Sequence, residues 1–137
     1  MAAKVLVVED DELTRFLMGE MCRALGLDCE IVADGQNCLD RLQAGPVDFD
    51  LVLMDLHMPR VSGLEATKAI RNSADYFVKA LPVVAVTADT HWHERSQYEP
   101  HGFDSVLPKP VEMDALTAIV ALYTGQNIGI ESPSRTV

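Results

Sequence analysis

Apolar positions along this chain switch repeatedly between two spacings. Val5-Leu6-Val7-Val8 is an unbroken apolar run, mostly β-branched, as expected of a strand covered on both faces. Glu9-Asp10-Asp11-Glu12 stops it. Leu13, Phe16, Leu17, Met21, Ala24 and Leu25 then recur at steps of three and four, which predicts an amphipathic helix closed by Gly26. A short strand over Cys29–Ala33 and a helix over Gln36–Ala44 follow, and Gly45-Pro46 ends that helix. The most apolar segment is the strand predicted over Asp50–Asp55, with Leu51-Val52-Leu53-Met54 at its centre. A loop containing Pro59 and Gly63 leads to a helix carrying Leu64, Ala66, Thr67 and Ile70, and a polar connection precedes a fourth strand over Pro82–Thr87. Asp89–His101, polar and aromatic-bearing, reads as a weakly periodic helix, and Phe103–Leu107 as a fifth strand. After Lys109-Pro110, the residues Met113, Leu116, Ile119, Val120 and Tyr123 mark a last helix ended by Gly125. Residues 126–137, rich in Ser, Pro, Gly and Thr, read as a disordered tail, so the folded domain is expected over 1–125.

Five strands alternating with five helices predict an α/β domain with a doubly wound parallel sheet, because each right-handed crossover must return beside its own strand. No repeat or second domain is evident. In such sheets ligands bind beyond the carboxyl ends of the strands, where the strand order reverses.

Composition narrows the partners. A chain of 137 residues with 48% hydrophobic content suits one well-buried core. The net charge of −10 argues against direct contact with a nucleic-acid backbone or an anionic membrane surface, and favours a basic partner or a bound cation. Cys22, Cys29 and Cys38 are odd in number and lack a Cys-x-x-Cys pair, so they read as reduced core residues. The first apolar run is too short for a signal-peptide core and no other run reaches membrane-spanning length, so a cytoplasmic protein is expected.

The strand ends carry the chemistry. The first ends in Glu9-Asp10, the third in Asp55 and the fourth in Thr87, while Lys109 follows the fifth. All should meet at one sheet edge. Three carboxylates brought together repel one another unless one is protonated or a cation joins them. Mg²⁺, or Mn²⁺, suits a sparse oxygen site of this kind, and its open positions accept phosphate oxygens. Asp55, alone at the end of the most buried strand, is then the best nucleophile for an aspartyl phosphate, with Glu9 and Asp10 as metal ligands. Lys109 would face the phosphoryl oxygens and the Thr87 hydroxyl could hydrogen-bond one of them. Asp11 reads as a helix cap.

Taken together, Val7-Val8-Glu9-Asp10, Asp55 with Met58-Pro59 and Gly63, Thr87-Ala88 and Lys109-Pro110 resemble response-regulator receiver domains, over roughly residues 4 to 124. The resemblance implies a flavodoxin-like sheet in the order 2-1-3-4-5 and Mg²⁺ held by Glu9, Asp10, Asp55 and the main-chain carbonyl of His57. It also implies a cis Lys109-Pro110 bond. The phosphate donor would be a phosphohistidine on a histidine kinase or histidine phosphotransfer protein. Leu64-Glu-Ala-Thr-Lys-Ala-Ile-Arg71 looks most like receivers attached to hybrid histidine kinases. Output would come through contact with a further protein that the sequence does not name, and homodimerisation through the last strand and helix stays open.

Two features depart from that pattern or add to it. The residue three before Lys109 is Val106 where receivers usually carry Tyr or Phe, so the family's aromatic readout cannot operate there, which keeps open a receiver-like interaction domain not regulated by phosphorylation. His57 and Asp89, each two residues beyond a site residue, flank the expected path of a hydrolytic water. A flavodoxin-like electron carrier is disfavoured because Glu9-Asp10-Asp11-Glu12 would repel a flavin phosphate. An Asp-nucleophile phosphatase would want a second Asp two residues after Asp55, where His57 stands. His91, His93 and His101 near Trp92 could suggest a transition-metal site, but a solvated face explains them without a further ligand.

Overall fold

The computed structural model describes residues 2–125, and the expected tail over 126–137 lies outside them. Five parallel strands, β1 (Lys4–Val8), β2 (Asp28–Val32), β3 (Leu51–Asp55), β4 (Val83–Thr87) and β5 (Ser105–Pro108), form one sheet in the order β2-β1-β3-β4-β5. Among the described residues six helices accompany them: α1 (Glu12–Ala24), α2 (Gly35–Ala44), α3 (Gly63–Arg71), α4 (Tyr76–Lys79), α5 (Arg95–Tyr98) and α6 (Met113–Thr124).

Alternation along the strands builds two cores. Leu6, Val8, Val52, Met54, Val83 and Ala85 point to one face and pack with Cys38 and Leu42 of α2, Ala66 and Ile70 of α3 and Val78 of α4. Val5, Val7, Leu51, Leu53, Val84 and Val86 point to the other and pack with Met18 and Cys22 of α1 and Leu116 and Val120 of α6. Every residue of β3 and β4 is buried, as a central parallel strand requires.

Capping fixes where the helices start. The Asp11 carboxylate accepts from Thr14 N at 2.8 Å, as expected of a cap. Asp34 caps α2 through Asn37 N at 2.7 Å, and Ser62 and Glu65 form a reciprocal capping box at the head of α3. Gly26, with φ 72°, turns the chain out of α1, and Leu27 N returns to Cys22 O at 2.9 Å.

The structure differs from the sequence reading in three places. The polar connection after α3 contains the one-turn helix α4, capped by Asp75. The single helix expected over Asp89–His101 is instead a 3₁₀ turn at Thr90–His93, the one-turn α5 and a second 3₁₀ turn at Glu99–His101. Glu94 is extended there, with φ −87° and ψ 133°, and Pro100 cannot donate a helical hydrogen bond, so no continuous ladder forms. In α1, the buried stripe is Met18, Cys22 and the following Leu25, whereas Leu13, Phe16 and Leu17 are at least half exposed. The apolar spacing of α1 thus marks two stripes, one of which faces solvent. Both Gly45-Pro46 and Lys109-Pro110 are cis, the second as the resemblance implied. Among the described residues no helix is long and apolar enough to cross a membrane.

Candidate functional site

The strand order reverses between β1 and β3, which places the crevice at their carboxyl ends. Glu9 follows β1 directly, and its N–H still pairs with Val32 O at 3.1 Å, so its backbone is fixed as an extension of the sheet. Asp55 is the last residue of β3, paired in register with Val86 of β4, and Thr87 is the last of β4, level with Pro108 of β5. Lys109 N donates to Thr87 O at 3.1 Å, which brings the lysine onto the same edge. Register therefore delivers residues from four strands to one cleft, lined by Glu9, Asp10, Asp55, His57, Thr87 and Lys109, with Asp11, Ala88 and Asp89.

One carboxylate oxygen from each of Glu9, Asp10 and Asp55 lies within 4.8 Å of the others. Glu9 and Asp55 are 2% and 4% exposed, so neither charge is relieved by bulk water, while Asp10 faces solvent. Lys109 is the cation that faces them, with Nζ 2.7 Å from Glu9 Oε1 and 3.4 Å from Asp55 Oδ1. Burial works against the charge on Lys109, but its bond to Glu9 and the nearby Asp55 outweigh that and raise its pKa. Burial first, and the adjacent Glu9 charge second, push Asp55 up to about 7 even though Lys109 pulls the other way.

Those donors suit a hard divalent cation: carboxylate oxygens only, converging, and short of positive charge. Glu9, Asp10 and Asp55 could hold it. His57 lines the same cleft, and its N–H lies 3.4 Å from Asp55 Oδ1. The Thr87 hydroxyl accepts from Asp89 N at 3.0 Å, which leaves its proton for donation into the cleft. His57 Nε2 and Asp89 Oδ2 face each other at 3.9 Å across the mouth.

The sequence reading thus named the converging residues but missed what braces them. Arg15, on α1, donates to Asp10 O at 2.7 Å and Glu9 O at 3.2 Å, holding the turn that carries both acids. Glu9 Oε2 also accepts from Asp11 N at 3.1 Å. An arginine on the first turns of a helix looks like any solvated residue, and only the fold brings it back over the preceding loop. The three histidines show no shared ligand geometry: Trp92 stacks edge-on between His91 and His101, and His93 Nε2 meets Thr87 O at 3.1 Å. The acidic trio is the metal-competent group among the described residues.

Comparison with known proteins points the same way as this geometry. The chain is 36% identical over 119 residues to the sensor histidine kinase RcsC of Salmonella typhi, covering 87% of this chain but only 12% of that much longer relative. Among solved structures, it resembles the receiver domain of the sensor histidine kinase PA1611 from Pseudomonas aeruginosa, which was crystallised with magnesium in its active-site cleft. That likeness has a TM-score of 0.79 at 28% identity and covers 92% of this chain and all of that one. It also resembles the receiver domain of Ssk1 from Saccharomyces cerevisiae, seen in complex with the histidine phosphotransfer protein Ypd1, with a TM-score of 0.78 at 25% identity over 98% of this chain and 97% of that one. The family model for the response regulator receiver domain matches residues 5–121. A doubly wound sheet in this order, acids at the ends of its central strands and a match across nearly all of its described length place this chain in the response regulator receiver domain family.

Proposed function

We propose that this chain is a phosphoacceptor that takes a phosphoryl group onto Asp55, with Glu9, Asp10, Asp55 and the His57 carbonyl holding Mg²⁺ or Mn²⁺. The observation that carries the reading is the imbalance in the cleft: three carboxylates converge, and Lys109 Nζ reaches two of them, Glu9 and Asp55. A bound divalent cation would supply the missing positive charge and orient phosphate oxygens. The donor is a phosphohistidine of a histidine kinase or a phosphotransfer protein, a class supported by RcsC and by the Ypd1 complex of the Ssk1 receiver. An Asp55 carboxylate oxygen forms the new bond to phosphorus as the donor's P–N bond breaks, and the departing imidazole takes up a proton. Lys109 then faces the negative oxygens in place of its present contact with Asp55, and the Thr87 hydroxyl donates to one of them. The chain acts as a signalling module that promotes only its own phosphorylation and dephosphorylation, and its output is a changed surface for another protein.

Val106 favours a second reading. It is half-buried on β5 and packs against the first core, where a branched aliphatic side chain cannot swing as an aromatic ring would. A receiver-like interaction module that is never phosphorylated would look the same there. Incubation with a small acyl phosphate and Mg²⁺, followed by intact mass, separates the two. The proposal expects one phosphoryl adduct on wild type and none on Asp55→Asn; an unmodified wild type, or an adduct that survives in the variant, would overturn it.

A further inference from the structure

The loop from Asp55 to α3 is held at its tip by a residue of another element. Arg60 adopts φ 63°, the one non-glycine residue with positive φ among the described residues, in a region that costs L side chains energy. Its Nη2 bonds Asp34 Oδ2. The Asp34 side chain is 9% exposed, and its other oxygen accepts from Asn37 N at 2.7 Å. A single buried carboxylate thus starts α2 and fastens the loop.

Two glycines make the fit close on either side. A Cβ on Gly35 would lie 2.5 Å from Val61 O, so α2 begins directly against the loop. At the loop's base Gly63 N donates to Leu56 O at 3.1 Å, and a Cβ on Gly63 would collide with the Asp55 carbonyl. The segment 56–62 is therefore closed at its base and pinned at its tip. Between those points His57 N sits 3.4 Å from Asp55 Oδ1.

We infer that Asp34, acting through Arg60, is a positioning residue for the cation site, fixing the 56–62 loop so that the Asp55 side chain and the His57 main chain stay turned toward Glu9 and Asp10. Without the carboxylate, Arg60 loses the side-chain bond that offsets the cost of its left-handed backbone. Its relaxation to negative φ rotates the peptides between Pro59 and Val61 and slackens the loop. Because the Arg60 side chain is 75% exposed, the pair contributes little to global stability. This inference rests on the reading of Glu9, Asp10 and Asp55 as a divalent-cation site.

The test uses Asp34→Ser, which keeps a capping oxygen but is too short to reach Arg60, together with Arg60→Ala and the double variant. Hydrogen exchange of the amides in 56–62 is followed without metal, and Mg²⁺ affinity is measured by calorimetry. Each single variant is expected to speed loop exchange and to weaken Mg²⁺ affinity about three- to tenfold, below the tenfold and more typical of groups bonded directly to a ligand. The double variant should be no worse than either single one, because one interaction is being removed twice. Unchanged loop exchange, affinities within twofold of wild type, or additive losses would overturn the inference. A wild type that binds no Mg²⁺ would instead sink the reading of the site, while loop exchange would still decide whether Asp34 holds the loop.

Discussion

Two edges of the same sheet treat charge in opposite ways. At the amino end of β1, Lys4 Nζ lies 3.2 Å from Glu30 Oε2 and 3.1 Å from Asp48 Oδ1, and Arg41 grips both Glu30 oxygens at 2.8 and 2.9 Å. Lys4 and Arg41 also rest on the Phe49 ring, at 5.1 and 4.8 Å from its centroid. Two acids and two cations are paired in that cluster, and the bond from Arg41, more than any other cause, pulls Glu30 down to about 2. At the carboxyl end three acids converge, Lys109 pairs with two of them, and Asp55 is driven up to about 7. The residue types are the same and the pKa shifts run in opposite directions. Balanced charge braces the scaffold, whereas unbalanced charge held rigid by buried strands leaves the protein a reason to bind a cation.

The largest expected effect is on stability against pH. Asp55 keeps its proton to about pH 7 in the fold, against 3.8 for an ordinary aspartate, so between those values the native chain binds more protons than the unfolded one. Stability without metal should therefore fall as pH rises through that window. Glu30 has the opposite sign: its contribution is present above 4.5 and lost as pH falls toward about 2, and Asp11 and Asp34, also lowered, act in the same sense. Metal-free melting temperatures should then peak at mildly acidic pH. A flat profile from there to neutrality would break the contrast between the edges.

Charge removal sharpens it further. Lys109→Met takes away the cation facing two buried acids and should cost about 2–3 kcal/mol at neutral pH, measured by urea denaturation. Glu30→Gln, at a site 37% exposed and screened by water, should cost only about 0.5–1 kcal/mol. Equal losses would mean that the two edges differ less than their geometry indicates. The smallest effect concerns the mouth of the cleft. Replacing both His57 and Asp89 by Ala removes the pair at 3.9 Å and should raise the hydrolysis rate of the phosphorylated protein about two- to fivefold, as water gains entry. Decay at the wild-type rate would remove both residues from the account.

The central strands were readable because nothing competes with their pattern: Leu51-Val52-Leu53-Met54 can only be a buried segment, and Asp55 can only be its end. The acids, Thr87 and Lys109 followed from being the polar residues at strand ends. The α1 stripe was less legible, because spacing shows that Leu13, Phe16 and Leu17 share a face without showing that this face is uncovered. Asp89–His101 departs from a single helix because Asp89 caps a 3₁₀ turn through His91 N and Glu94 is extended, and neither feature is encoded in the spacing of apolar residues. Arg15, Asp34 and Arg60 were invisible for a third reason. Each acts across 5 to 26 residues of chain, on a partner that only the fold brings near.

Thermal melting at neutral pH, with and without Mg²⁺ at matched ionic strength, tests the central claim most directly on wild type and Asp55→Asn. Binding to the native state alone at about a hundred times Kd stabilises by about 2.7 kcal/mol, so wild type should melt several degrees higher with the ion, while the variant should gain little. A wild type whose melting is indifferent to Mg²⁺, or a variant that gains as much, would contradict the claim that the crowded acids at this edge are held apart for a cation.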